Sequence, residues 1–124
     1  MIVGIGCDVI EVERIKAAID RGGFLERVYT ETERKFCTTE QGQPKYESYA
    51  ARFAAKEALV KALGTGFRQG SFQEITVLDN QLGKPEIVLS GVFAAVAKKL
   101  GVQHIFVTLS HVKTLALAQV ILEK

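Results

Sequence analysis

The chain reads as a mixture of α and β: a small, antiparallel-rich sheet packed with one long helix and several short ones. Three observations carry this reading. Residues 52–63 hold a helical spacing with an alanine-rich face. Phe72–Leu78 with Glu86–Leu89, and Gln103–Ser110 with Thr114–Leu122, are two pairs of apolar runs, each joined by a turn. Short amphipathic segments fill the interval between the first apolar run and the long helix.

At 124 residues the chain is expected to form one domain, residues 1–124, with a modest core. Its 48% hydrophobic and 24% charged residues are ordinary for a soluble globular protein. A net charge of +2 is too small to point to nucleic acid. No run is long and apolar enough to span a membrane. The opening residues lack a basic segment and read as a strand rather than a signal peptide. Cys7 and Cys37 belong to no CxxC or Cys/His cluster, so reduced thiols and a cytoplasmic location are expected.

The first strand is Ile2–Asp8. It is apolar on both faces, so an interior place in the sheet is expected. Gly4-Ile5-Gly6 is not a dinucleotide signature, because Val9 stands where the third glycine belongs. Asp8 ends the strand, and by itself reads as a turn former. Glu11–Arg21 is an amphipathic helix with Val12, Ile15, Ala18 and Ile19 inward, stopped by Gly22-Gly23. Arg14 and Arg21 share a face, and Lys16 and Arg27 add charge nearby. Glu11, Glu13, Asp20 and Glu26 dilute it, so the residues alone describe a solvated face. Phe24–Tyr29 is a helical turn. Thr30 and Glu33 form a capping box for a short helix to Cys37. Thr38–Pro44 is polar and reads as a mobile loop.

The long helix starts at Lys45 or Tyr46 and stops at Gly64. Ala54, Ala55, Ala58, Leu59, Ala62 and Leu63 form its apolar face. Arg52, Lys56, Glu57 and Lys61 lie opposite, yet Phe53 and Val60 sit among them. A solvated face would not carry these two, so both sides of the helix should be covered and the charges should line a cleft. Glu57 and Lys61 have the spacing of a surface ion pair worth about 0.3–0.5 kcal/mol. Judged alone, that pair reads as structural rather than chemical. Gly64-Thr65-Gly66 leaves backbone amides free to meet an anion.

Beyond Gly66 the chain loops through Arg68, Gln69 and Gly70 into strand Phe72–Leu78. A turn over Asp79–Gly83 returns it through Glu86–Leu89, with Lys84-Pro85 at the strand start. Gly91–Leu100 is a helix on Val92, Phe93, Val96 and Leu100. The final strands meet at a turn near His111-Val112-Lys113. The last strand is apolar on both faces, and helices are scarce in this half. Part of its cover is therefore expected from another copy of the chain.

Four pieces occur in one order: Gly4-Ile5-Gly6-Cys7-Asp8, the stretch Arg52–Gly66, Gly83-Lys84-Pro85, and Leu109-Ser110-His111. Together they resemble the holo-acyl-carrier-protein synthase family of 4′-phosphopantetheinyl transferases, over the whole chain. The resemblance implies the α+β fold of that family and transfer of 4′-phosphopantetheine from coenzyme A to a serine of apo acyl carrier protein. Adenosine 3′,5′-bisphosphate is released, and the product supports fatty acid biosynthesis. It further implies Mg²⁺, and a homotrimer with sites shared between subunits.

Residue by residue, the resemblance assigns Asp8 and Glu57 to the metal, and Glu57 and Lys61 to catalysis. It places Arg52, Lys56, Lys61, Gly64, Thr65, Gly66, Lys84, Pro85, Ser110 and His111 around coenzyme A. Arg14, Arg21 and Arg27 match residues that dock the acidic carrier. The chemistry agrees, since displacing a pyrophosphate by a hydroxyl requires charge neutralisation and alignment. The chain departs from the family pattern at Gln43-Pro44, which leaves only Lys45 as a basic residue ahead of the long helix. It departs again at Val112 and at Cys7, where a small buried hydrophobe is expected. The alternative is a catalytically silent module that binds carrier domains or nucleotides. Retention of Asp8, Glu57 and Lys61 argues against it.

Overall fold

The structure is a computed structural model that describes residues 1–66 and 70–124; the loop read through Arg68 and Gln69 lies outside the described residues. The elements run β1 (Ile2–Glu11), α1 (Val12–Asp20), α2 (Phe24–Val28), α3 (Glu31–Cys37) and α4 (Tyr46–Leu63). A 3₁₀ turn (Phe72–Glu74) follows, then β2 (Ile75–Asp79), β3 (Pro85–Leu89), α5 (Gly91–Lys99), β4 (His104–His111) and β5 (Leu115–Glu123). β1, β5 and β4 form an antiparallel sheet in that order, and β2–β3 is a separate hairpin.

α4 packs across the inner face of β1 and β5. Ala116, Ala118, Val120 and Leu122 of β5 are fully buried under its alanines. The closest approach is at β1, where Gly4 and Gly6 face the helix. A Cβ at Gly6 would run into the Ala58 carbonyl oxygen, and one at Gly4 into that of Ala62. The glycines are there because the helix backbone occupies the space a side chain would need.

The other face of α4 is covered as well. Phe53 stacks on Phe72 with ring centroids 5.5 Å apart and meets Phe24 at 5.8 Å. The capping box forms: the Thr30 hydroxyl accepts from Glu33 N, and the Glu33 carboxylate accepts from Thr30 N.

Four expectations are corrected. β1 is an edge strand, because β5 takes the central place. Cys7 is exposed rather than buried, since its parity puts it on the sheet face away from α4. Thr38–Pro44 is a hydrogen-bonded turn: Thr39 N donates to Gln43 O at 2.9 Å, Gly42 N to Thr39 O at 2.9 Å, and Thr38 bridges Pro44. The strand read from Phe72 begins at Ile75, after the 3₁₀ turn. The last strand's outer face stays open, as does its neighbours': Ile5 is 61%, Val9 57%, Phe106 46% and Leu117 40% exposed.

Gly6→Ala is expected to destabilise the fold by about 1–3 kcal/mol through overpacking against a backbone carbonyl. Chemical denaturation checks this; an unchanged midpoint would show that β1 can retreat from α4 without loss.

Candidate active site

β1 carries Asp8 on the face that meets α4, one pleat along from Gly6. The close strand–helix contact brings it beside Lys61, whose ammonium donates to Asp8 Oδ1 at 3.0 Å and to the Cys7 carbonyl at 3.1 Å. Glu57, one turn earlier on α4, shares this corner. Burial and then the Asp8 carboxylate push its carboxyl above the usual range, and Lys61 opposes them. Hydrogen bonding to Asp8 raises Lys61, which therefore remains a cation. Two oxygen-donor carboxylates whose charges repel, with one exposed lysine, suit a hard divalent cation that takes its remaining ligands from phosphate and water. Among the described residues no group of three or more His, Cys, Asp or Glu gathers to enclose a metal by itself. Asp8 and Glu57 thus fit Mg²⁺ as an open, two-carboxylate site.

α4 ends on Gly64 in the left-handed conformation, at φ 79°. Gly64, Thr65 and Gly66 then line a cavity of about 500 Å³ with Val92, Phe93 and Val96.

Arg52, Pro85 and His111 meet elsewhere, in a cavity of about 410 Å³ between α4, the β2–β3 turn and the end of β4. Arg52 lines its wall, almost wholly buried, and donates to Asp79 Oδ1 at 3.3 Å. His111 Nδ1 lies 3.3 Å from Glu47 Oε2. Lys84 is exposed on the adjoining turn, where its backbone N–H donates to Asn80 Oδ1. Arg52 and Glu57 leave α4 in widely different directions because five positions exceed a helical turn. The expected coenzyme A residues are therefore divided within one chain. Ser110 belongs to neither cavity: strand parity puts it on the open outer face, opposite Leu117.

Lys56 is corrected. It is fully buried, and its ammonium donates to Glu33 Oε1 at 2.7 Å, Val28 O at 2.6 Å and Phe72 O at 3.1 Å. Glu33 Oε2 accepts from Val77 N at 2.9 Å. Burial lowers the Lys56 pKa and Glu33 resists that shift. With its donors used inside the core, Lys56 ties α4 to α2, α3 and the 3₁₀ turn ahead of β2 and does not reach a ligand. Sequence reasoning missed Glu33 as its partner, since a capping-box acid already has a local role. It also missed Phe36, Glu47 and Asp79; Asp79 read as the first residue of a turn. Arg14, Arg21 and Arg27 are all exposed, on α1, just after it, and on α2. Among the described residues none of the three has an ion pair.

Comparison with known proteins places the chain in a family. Residues 4–120 match the family model described as the 4′-phosphopantetheinyl transferase superfamily. A holo-[acyl-carrier-protein] synthase from Solibacter usitatus is 48% identical over 126 aligned residues, covering 99% of each chain. The crystal structure of holo-[acyl-carrier-protein] synthase from Neisseria meningitidis superposes with a TM-score of 0.88 at 34% identity, covering 100% of both chains. The Bacillus anthracis synthase in complex with CoA (3′,5′-ADP) gives 0.80 at 39% identity, covering 100% of this chain and 98% of that one. This chain belongs to the 4′-phosphopantetheinyl transferase superfamily, and it has that family's α+β fold. Within the superfamily, the relatives it matches over their full length are holo-acyl-carrier-protein synthases.

Glu57 holds a proton more tightly folded than unfolded. Its contribution to stability is therefore present at low pH and lost as pH rises through its raised folded pKa. Without divalent metal, Glu57→Gln should melt a few degrees above wild type at neutral pH, with the gap closing below the ordinary glutamate range. Melting curves in chelator across pH check this, and a variant that melts lower at neutral pH contradicts it.

Proposed function

We propose that this chain is a holo-acyl-carrier-protein synthase. It transfers 4′-phosphopantetheine from coenzyme A to a serine of apo acyl carrier protein, in the cytoplasm and in support of fatty acid biosynthesis. The observation that carries the reading is the convergence of Asp8, Glu57 and Lys61 where β1 meets α4. The serine oxygen bonds to the phosphorus that bears pantetheine, the bond to the bridging oxygen breaks, and adenosine 3′,5′-bisphosphate leaves. The serine proton passes to solvent water as its bond forms. Asp8 and Glu57 are the residues that would hold Mg²⁺, which neutralises charge on the phosphate oxygens when bound. Lys61, exposed at its tip and kept cationic by Asp8, exchanges Asp8 for a phosphate oxygen and stabilises the leaving group.

The active unit on this reading is a homotrimer. Two features support it: the coenzyme A residues are divided between two regions of one chain, and the outer sheet face is apolar and open. A neighbouring copy that covers this face brings Arg52, Pro85 and His111 of one subunit toward Asp8, Glu57 and Lys61 of the next. Arg14, Arg21 and Arg27 form the docking surface for an acidic carrier, raising its encounter rate in low salt.

Incubation with apo carrier, coenzyme A and Mg²⁺ should raise the carrier's mass by one phosphopantetheine. Glu57→Gln should lower that rate by about 100-fold or more. A carrier of unchanged mass would favour the silent binding module. Subunit exchange between Glu57→Gln and Arg52→Gln chains should restore activity to about a quarter of wild type, because one interface in four then joins two intact halves. No recovery above either parent would overturn the shared site.

A further inference from the structure

We infer that Asp79 is a specificity-determining residue, a carboxylate that occupies Arg52 until a nucleotide phosphate displaces it. The inference rests on the reading of the Arg52 cavity as a coenzyme A site.

The guanidinium of Arg52 is poorly satisfied for so buried a charge. Its side chain is only 5% exposed, yet Nε is buried without a hydrogen-bond partner. Nη1 reaches the Ser48 carbonyl at a long 3.4 Å, and Nη2 reaches Asp79 Oδ1 at 3.3 Å. A guanidinium presents a rigid fork suited to two-point binding of an oxyanion. Here the fork meets one carboxylate oxygen at one long contact. A single contact this long is one that a phosphate can displace, and the cavity that Arg52 lines has room for a phosphate.

The charges around the cavity favour that ligand. Arg52 Cζ sits 4.6 Å and Lys45 Nζ 5.2 Å from the centroid of the same Phe36 ring, which gathers two cations at one wall. His111 faces the cavity from β4 but is engaged by Glu47. Asp79 is the acid among the described lining residues, so one carboxylate answers two cations. Phosphate entry completes the charge balance and must win Arg52 from Asp79. The consequence is selectivity: a ligand with strongly anionic phosphates displaces the carboxylate, whereas a weakly charged one does not repay its loss. Asp79 also heads the β2–β3 turn and pairs in register with Pro85, so its release alters the wall that Pro85 provides.

The test is titration calorimetry with coenzyme A, 3′-dephospho-coenzyme A and adenosine. Asp79→Asn keeps an oxygen near Arg52 and removes the charge; Asp79→Ser also shortens the side chain and guards against a folding defect in the first. Both variants should bind coenzyme A about fivefold more tightly, the effect of removing one half-buried competing charge, and adenosine unchanged. If 3′-dephospho-coenzyme A gains as much, Arg52 serves the pyrophosphate; if it gains nothing, Arg52 serves the ribose phosphate. Equal or weaker coenzyme A binding in both variants overturns the role given to Asp79. Failure of the wild-type chain to bind coenzyme A at all overturns instead the reading of the cavity.

Discussion

The contact on which the rest of this structure depends is backbone against backbone: β1 lies on α4 with no side chain between them at Gly4 and Gly6. Strand and helix ordinarily stand apart by the thickness of their side chains. Here two glycines and the small residues Ala58 and Ala62 remove that thickness. A carboxylate on the strand and two charges on the helix then come within hydrogen-bond reach or mutual field. With bulkier residues along this seam, Asp8 and Glu57 would act independently. Burial and the neighbouring Asp8 charge both disfavour an ionised Glu57, and a cation held between the two carboxylates would relieve that cost.

The same helix separates neighbours by direction. Lys56 and Glu57 are adjacent in sequence, but one turns into the core and the other toward β1. Lys56 is held by Glu33 and two carbonyls, an arrangement in which removal of either charged partner leaves the other uncompensated. Through Glu33 the network reaches Val77 in the middle of β2, the strand that ends in Asp79. α4 is thus fixed on both sides: by glycine-mediated contact to the sheet and by a buried ion pair to α2, α3 and β2. The site residues on it are correspondingly well oriented.

Much of this was legible in the sequence. The long helix and its stop at Gly64 followed from periodicity and from glycine. Phe53 and Val60 among charges announced that both sides of α4 are covered, as the stacking of Phe53 on Phe72 bears out. Thr30 and Glu33 announced their own cap. What escaped was governed by three-dimensional parity and partnership. The edge position of β1, and with it the exposure of Cys7, depends on which strand β5 chooses as neighbours, and apolar content does not encode that choice. The burial of Lys56 depends on an acid 23 positions away that already had a local explanation. Resemblance supplied the list of coenzyme A residues, but only coordinates showed that Arg52, Pro85 and His111 gather apart from Asp8, Glu57 and Lys61.

The central claim is that Asp8 and Glu57 act as one divalent-cation site created by the β1–α4 contact. Carboxyl ¹³C NMR of the aspartate- and glutamate-labelled protein, titrated with Mg²⁺ in the presence of coenzyme A, tests it most directly. The account predicts that the Asp8 and Glu57 resonances move together along one saturation curve while that of buried Glu33 stays still. Separate curves for the two, or movement of neither, would contradict it.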